Sequence, residues 1–184
     1  MKFAWRGRGR LRTVVGMSFR ILTLVFALAL AGTAHLIAQE PAKLGLAERR
    51  GVKQYQEKQW PELKKQLDAA AGFEVPVEVK WETIARPGEA EKYGEEGYWT
   101  NIYFKPLIEA LKTVTADQEG RESLKKHLKQ IVIHFDEKTA PASNYPTGVA
   151  FQEGALTINF RPWSNADDVK QRVAAIKTML EKGL

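Results

Sequence analysis

The chain has 184 residues, no cysteine and a formal net charge of +6. Without cysteine there are no disulfides, no thiol nucleophile, no thiolate zinc site and no lipid-modified cysteine anchor. The positive charge is local: of the 28 Lys and Arg, six (Lys2, Arg6, Arg8, Arg10, Arg12 and Arg20) fall in the first 38 residues, which hold no Asp or Glu, and the remaining 22 balance the 22 acidic residues. A neutral body lacks the basic footprint of a nucleic-acid-binding surface, so that class of partner is not expected.

The basic stretch runs into the apolar segment Ile21 to Ala31 and then into the small residues Gly32, Thr33 and Ala34. This is the layout of a cleavable export signal, read over residues 1–38. The apolar run from Ile21 to Ala34 is 14 residues long, short of the roughly 20 that a spanning helix needs. Membrane contact is therefore expected only through this segment before cleavage. Cleavage after Ala34 fits the small-x-small rule best, and cleavage after Ala38 is second. Met17 offers an alternative start, with Ser18-Phe19-Arg20 as a short basic lead. The expected location is periplasmic or secreted, and a cysteine-free body suits a bacterial periplasm better than a eukaryotic secretory route.

Residues 39–60 are charged and weakly periodic, with Leu44, Leu46, Val52 and Tyr55 as scattered apolar points, and read as an N-terminal arm or loosely docked helix. A single domain is expected over 61–184. Pro61 suits a first helical position, Leu63, Leu67 and Ala70 follow at helix spacing, and Gly72 supplies the stop. Val75, Val77, Val79 and Trp81 alternate with polar residues as a half-buried strand, with Pro76 restricting it to an edge or to its own start. Arg86 to Gly97 holds three glycines, a proline and six charged residues, which marks a surface loop.

Phe104, Leu107, Ile108, Leu111 and Val114 predict a core-facing helix. Thr115 to Gln118 resembles a capping box for a second helix ending near Gln130, with Leu124 and Leu128 inward. Ile131, Ile133 and Phe135 line one face of a strand and His134 and Asp136 the other. Val149 and Phe151, the turn Glu153-Gly154, then Leu156, Ile158 and Phe160 predict a hairpin. Asn165 is placed as the cap of a last helix, with Val169, Val173, Ile176 and Leu180 inward. The expected fold is α+β: a two-layer sandwich with a mainly antiparallel sheet of about four strands and helices on one face. Alternation in the strands argues against parallel pairing, since parallel strands buried on both faces are apolar throughout.

The local motifs of nucleotide-binding loops, serine hydrolases and zincins are absent from the sequence. His134 and Asp136 leave one strand face together, where an imidazole and a carboxylate could share a metal or form an acid–base pair. The plainer expectation is a wet sheet face with no catalytic or metal site and no cofactor. Asn159 and Arg161 alternate onto that face, and Arg161 has the forked geometry that grips carboxylate or phosphate. Tyr145 and Trp163 flank the hairpin at Pro-containing turns, where exposed rings could stack on a ligand, Tyr145 being the ring expected to be most exposed. These six residues, His134, Asp136, Asn159, Arg161, Tyr145 and Trp163, form the candidate ligand-binding set. The expected function is an exported, non-catalytic binding module whose partner is an unknown protein, glycan or small molecule. A small hydrolase or metal-dependent enzyme centred on His134 and Asp136, and a cell-envelope structural protein, are the alternatives.

Overall fold

The computed structural model describes residues 44–184; the export segment read over 1–38 lies outside the described residues. Six α-helices and four strands follow in the order α1 (Leu46–Lys58), α2 (Trp60–Ala71), β1 (Val77–Val79), α3 (Trp81–Ile84), α4 (Lys105–Val114), α5 (Gln118–His127), β2 (Gln130–His134), β3 (Val149–Gln152), β4 (Ala155–Asn159) and α6 (Val169–Gly183). No helix among the described residues is long and apolar enough to cross a membrane.

The helices begin and end where side-chain chemistry requires. Pro61 sits in the first turn of α2, and Gly72 closes that helix in the left-handed region at φ 80°, which a side chain would disfavour. The cap of α5 is Asp117, whose carboxylate accepts from the Gly120 N–H at 2.7 Å. Thr115 instead donates its hydroxyl to Ala70 O and Leu111 O, tying the end of α4 to α2. Helix α6 starts at Val169, and Asn165, read as its cap, lies before it at φ 52°. Helix α1 is seated by Tyr55, which is 1% exposed and hydrogen-bonded through its hydroxyl to Thr100 Oγ1 at 2.8 Å. Between Arg86 and α4 the chain is more ordered than its glycines suggest. A 3-10 turn covers Ala90–Lys92, and wide π-type turns cover Glu96–Phe104, broken at Tyr98 (φ −103°, ψ −113°).

The four strands form one sheet in the order β1-β2-β4-β3. The sheet is mixed, which corrects the mainly antiparallel expectation: β1–β2 and β2–β4 are parallel, and only the hairpin pair β3–β4 is antiparallel. The hairpin turns at Glu153-Gly154, both with positive φ (53° and 86°), the geometry of a tight two-residue connection. Its second strand, β4, inserts beside β2 and leaves β3 at the edge.

The register explains why the alternation misled. Val77, Ile131, Leu156 and Phe151 form one row, and Val79, Ile133, Ile158 and Val149 the next. Ile131, Ile133, Leu156 and Ile158 are all 0% exposed. The opposite rows, Glu78–Val132–Thr157–Ala150 and Gln130–Ala155–Gln152, are half-buried or exposed. Parallel strands here have one wet side, so they alternate like antiparallel ones, contrary to the usual coverage of parallel sheets on both faces.

One hydrophobic cluster joins the sheet to Leu107, Leu111, Ile176, Leu180 and Phe160, with Val79, Trp81, Phe135 and Val173 partly buried at its margin. Truncation of Ile158 or Leu111 to Ala is expected to cost about 2–5 kcal/mol. Thr157→Ala, on the wet face beside Ile158, should stay within about 0.5 kcal/mol. Urea melts of the three variants check this, and equal losses would show the strand phase to be wrong.

Candidate functional site

The polar residues gather where the three parallel strands end. His134 closes β2 and pairs in register with Asn159, the last residue of β4. On the other side Lys80 follows β1, its N–H bonded to Ile133 O at 2.9 Å. Lys80, His134 and Asn159 thus form a row across the sheet at the carboxyl ends of the strands, the usual location of ligand sites in parallel sheets.

Beyond this row a small network closes on itself. The Asp136 N–H donates to Asn159 Oδ1 at 2.9 Å, Asn159 Nδ2 donates to Thr139 Oγ1 at 2.9 Å, and Thr139 Oγ1 donates to Asp136 Oδ2 at 2.8 Å. The other carboxylate oxygen of Asp136 accepts from the Lys138 N–H at 3.1 Å. The Thr139 hydroxyl, then the Lys138 amide, hold the Asp136 carboxyl below its usual range. Both of its oxygens serve the turn Asp136–Ala140, whose backbone closes with Ala140 N donating to Asp136 O, a side-chain-stabilised turn of the kind aspartates favour.

His134 is half-buried, and burial is the main reason its pKa falls below 6.5, followed by the nearby Lys80 ammonium; the Asp136 carboxylate opposes the shift. A neutral imidazole bordered by an exposed cation presents one donor and one acceptor. Because the folded state takes up the proton less readily than the unfolded chain, stability is expected to fall as pH drops through 6.5 and towards the lower folded value. Denaturant midpoints followed between pH 8 and 5 should show that slope in the wild type and a flatter one in His134→Gln. Parallel curves would mean the imidazole is as freely protonated folded as unfolded.

Of the six sequence-derived residues, the structure brings His134, Asp136 and Asn159 together. Arg161 is tied to the same turn, its Nε donating to Ala140 O at 3.2 Å. Trp163 stands apart, with the Arg86 guanidinium 4.0 Å over its ring and Phe135 edge-on at 4.9 Å.

Tyr145 is 3% exposed, not the exposed ring expected of its loop. Its hydroxyl donates to Asp168 Oδ2 at 2.8 Å, and the Arg172 guanidinium lies 4.4 Å over its ring. Phe160 packs against it edge-on at 5.5 Å. Arg172 and Phe160 give the loop an apolar and cationic wall to fold onto, which local composition did not reveal. The rings around the glycine-rich loop are likewise interior: Tyr93, Tyr98, Trp99 and Tyr103 are each 6% exposed or less.

Two residues near these groups carry no local signal of their surroundings. Lys80 alternates with Val79 and Trp81 like any solvated strand residue, and nothing in the sequence places it beside His134. Arg172 sits between Val169 and Ile176 at helical spacing, so its place on the inward stripe was legible, but a charge there was not anticipated.

Among the described residues no three His, Asp or Glu side chains converge at metal-binding spacing. A shallow groove of about 500 Å³ runs along α5, lined by Gln118, Glu119, Glu122, Ser123, Lys126 and His127. Ser123 Oγ lies 3.3 Å from His127 Nδ1, but that nitrogen is also 3.1 Å from Ser123 O. With its N–H donated to the carbonyl, Nδ1 has no lone pair with which to activate the hydroxyl. Comparison with protein-family models, with curated proteins and with solved structures finds no match to this chain.

Proposed function

We propose that the chain is an exported, non-catalytic binding or protein-interaction module that acts through the wet face of its sheet. The observation that supports this is the continuity of that face. Glu78, Val132, Thr157 and Ala150 form one row across all four strands, and His134 and the buried Asn159 pair in the next, with Lys80 beside them just past the end of β1. Small side chains form the floor of this surface and polar ones its rim. On this reading the fold is two-layered, with the helices on the side of Ile131 and Ile158 and the other side left to a ligand. Leu46 is the one large apolar side chain exposed among the described residues, so the surface suits a polar partner, protein or glycan, or a small molecule, better than an oily one.

No observation favours the alternative of a metal-dependent or hydrolytic enzyme. Each oxygen of Asp136 accepts from its own turn, and among the described residues no hydrogen bond joins the carboxylate to His134, so nothing in the network orients the imidazole for metal or acid–base chemistry.

The test is a glycan and metabolite thermal-shift screen, with a pull-down in parallel, on the chain starting at Gln39. Thr157→Lys, whose stem can run over Ala150 into solvent, serves as the blocked-face control. A ligand shift in the wild type that is lost in Thr157→Lys is expected. No ligand, or one that binds both forms equally, would remove the sheet face from the proposal. Export is tested separately by N-terminal sequencing of the periplasmic or secreted fraction, where a start at His35 or Gln39 is expected. Membrane retention with Met1 or Met17 intact would overturn it.

A further inference from the structure

Arg172 is 0% exposed and has no Asp or Glu oxygen within 4 Å among the described residues. Nη1 donates to Asn165 O and Nη2 to Ser164 O, each at 2.7 Å. The flat of the guanidinium lies on Tyr145, with Phe160 at 5.7 Å. All these partners are neutral. The nearest carboxylate, Asp168, accepts from the Tyr145 hydroxyl instead and attracts the guanidinium from farther off. A permanent cation is therefore held in the interior without a contacting counter-charge, which is costly.

Two buried polar atoms at this place have no partner: Arg172 Nε and Ser164 Oγ. In a guanidinium the Nε–H and Nη2 share one edge, and Nη2 is held by the main chain of Ser164 itself. Ser164 thus carries both the carbonyl that Nη2 uses and the second orphan group.

We propose that Arg172 and Ser164 bind a small monovalent anion, of the size of chloride. Both orphan groups can donate, so a single acceptor satisfies them, and a negative one also neutralises the buried charge at contact. Both atoms are buried, so the ion proposed is halide-sized rather than a phosphate or an organic acid. Such an ion fastens the segment Phe160–Asp168 to the start of α6, and so to Tyr145. This site is separate from the sheet face and stands or falls independently of the binding-module reading.

The proposal is tested by thermal unfolding of the full chain at constant ionic strength, with chloride replaced stepwise by gluconate, a far larger anion. Once chloride exceeds its dissociation constant, each tenfold rise is expected to increase the folded-to-unfolded ratio about tenfold. Ser164→Ala, which keeps the main-chain carbonyl that Arg172 uses, should flatten this dependence. Crystals grown in bromide should show an anomalous peak in contact with Arg172 Nε. Identical melting in chloride and gluconate, an unchanged dependence in Ser164→Ala, or a water at Nε with no anomalous signal would each overturn it.

Discussion

Replacing Arg172 with Ala is expected to lower the stability of the protein by about 3–5 kcal/mol, the lost contacts outweighing the relief of an unpaired buried charge, among the largest effects of any single substitution in this chain. Three losses coincide. The carbonyls of Asn165 and Ser164, each 2.7 Å from a guanidinium nitrogen, lose their donors in a part-buried setting, at about 1 kcal/mol per lost bond. The Tyr145 ring loses the cation stacked on it at 4.4 Å. A cavity opens beneath Phe160, which is 0% exposed. Arg172→Met fills much of the volume and should recover part of the loss without restoring the carbonyl bonds. Urea unfolding of both variants decides the matter; an Arg172→Ala variant within about 0.5 kcal/mol of wild type would show that the 160–168 segment is held by something else.

Trp99→Ala should cost about as much, again in the range of 3–5 kcal/mol. The indole is 0% exposed and stacks on Tyr93 at 4.3 Å and 17°. Tyr55 meets it edge-on at 5.0 Å, and Trp81 lies at 5.4 Å. Its N–H donates to Ile84 O at 3.2 Å. These contacts join α1, α3 and the π-type turns, so truncation should also abolish the near-ultraviolet circular dichroism of the cluster. Trp163, half-buried between Arg86 and Phe135, is the internal comparison, and its truncation should cost clearly less. Equal losses at the two positions would mean that the aromatic cluster is not the keystone of the helical part.

What could be read in advance was local. The stripe Leu107, Ile108, Leu111 and Val114 marks α4 because a helix returns its side chains to one side every three to four residues, and all four are buried. The positive φ of Glu153 and Gly154 follows from their being the only turn-like pair between two alternating runs. The direction of strand pairing was not legible: alternation records that a strand has a wet side, not which way its neighbour runs. The π-type turns before α4 carry no periodic signal, because Tyr98, Trp99, Ile102, Tyr103 and Phe104 are all buried. In the candidate site, the proximity of His134, Asp136 and Asn159 could be read from the two-residue period. That Asp136 would turn back on its own loop depended on Thr139, and the burial of Tyr145 depended on Arg172, both long-range or side-chain effects that leave no pattern in a single sequence.

The strand order β1-β2-β4-β3 also sets the pace at which this protein can assemble. The β3–β4 hairpin closes through two residues and can form within microseconds. Strand β2 has no such neighbour: its partner on one side, β1, precedes it by the whole helical stretch from Trp81 to His127, and its partner on the other, β4, is reached only past β3. Both parallel pairings must wait for long loops to close before any ladder bond repays the lost chain entropy. Refolding is therefore expected to be slow, with the hairpin protected from hydrogen exchange early and β2 last, and the native sheet cannot close until the chain is available as far as Asn159.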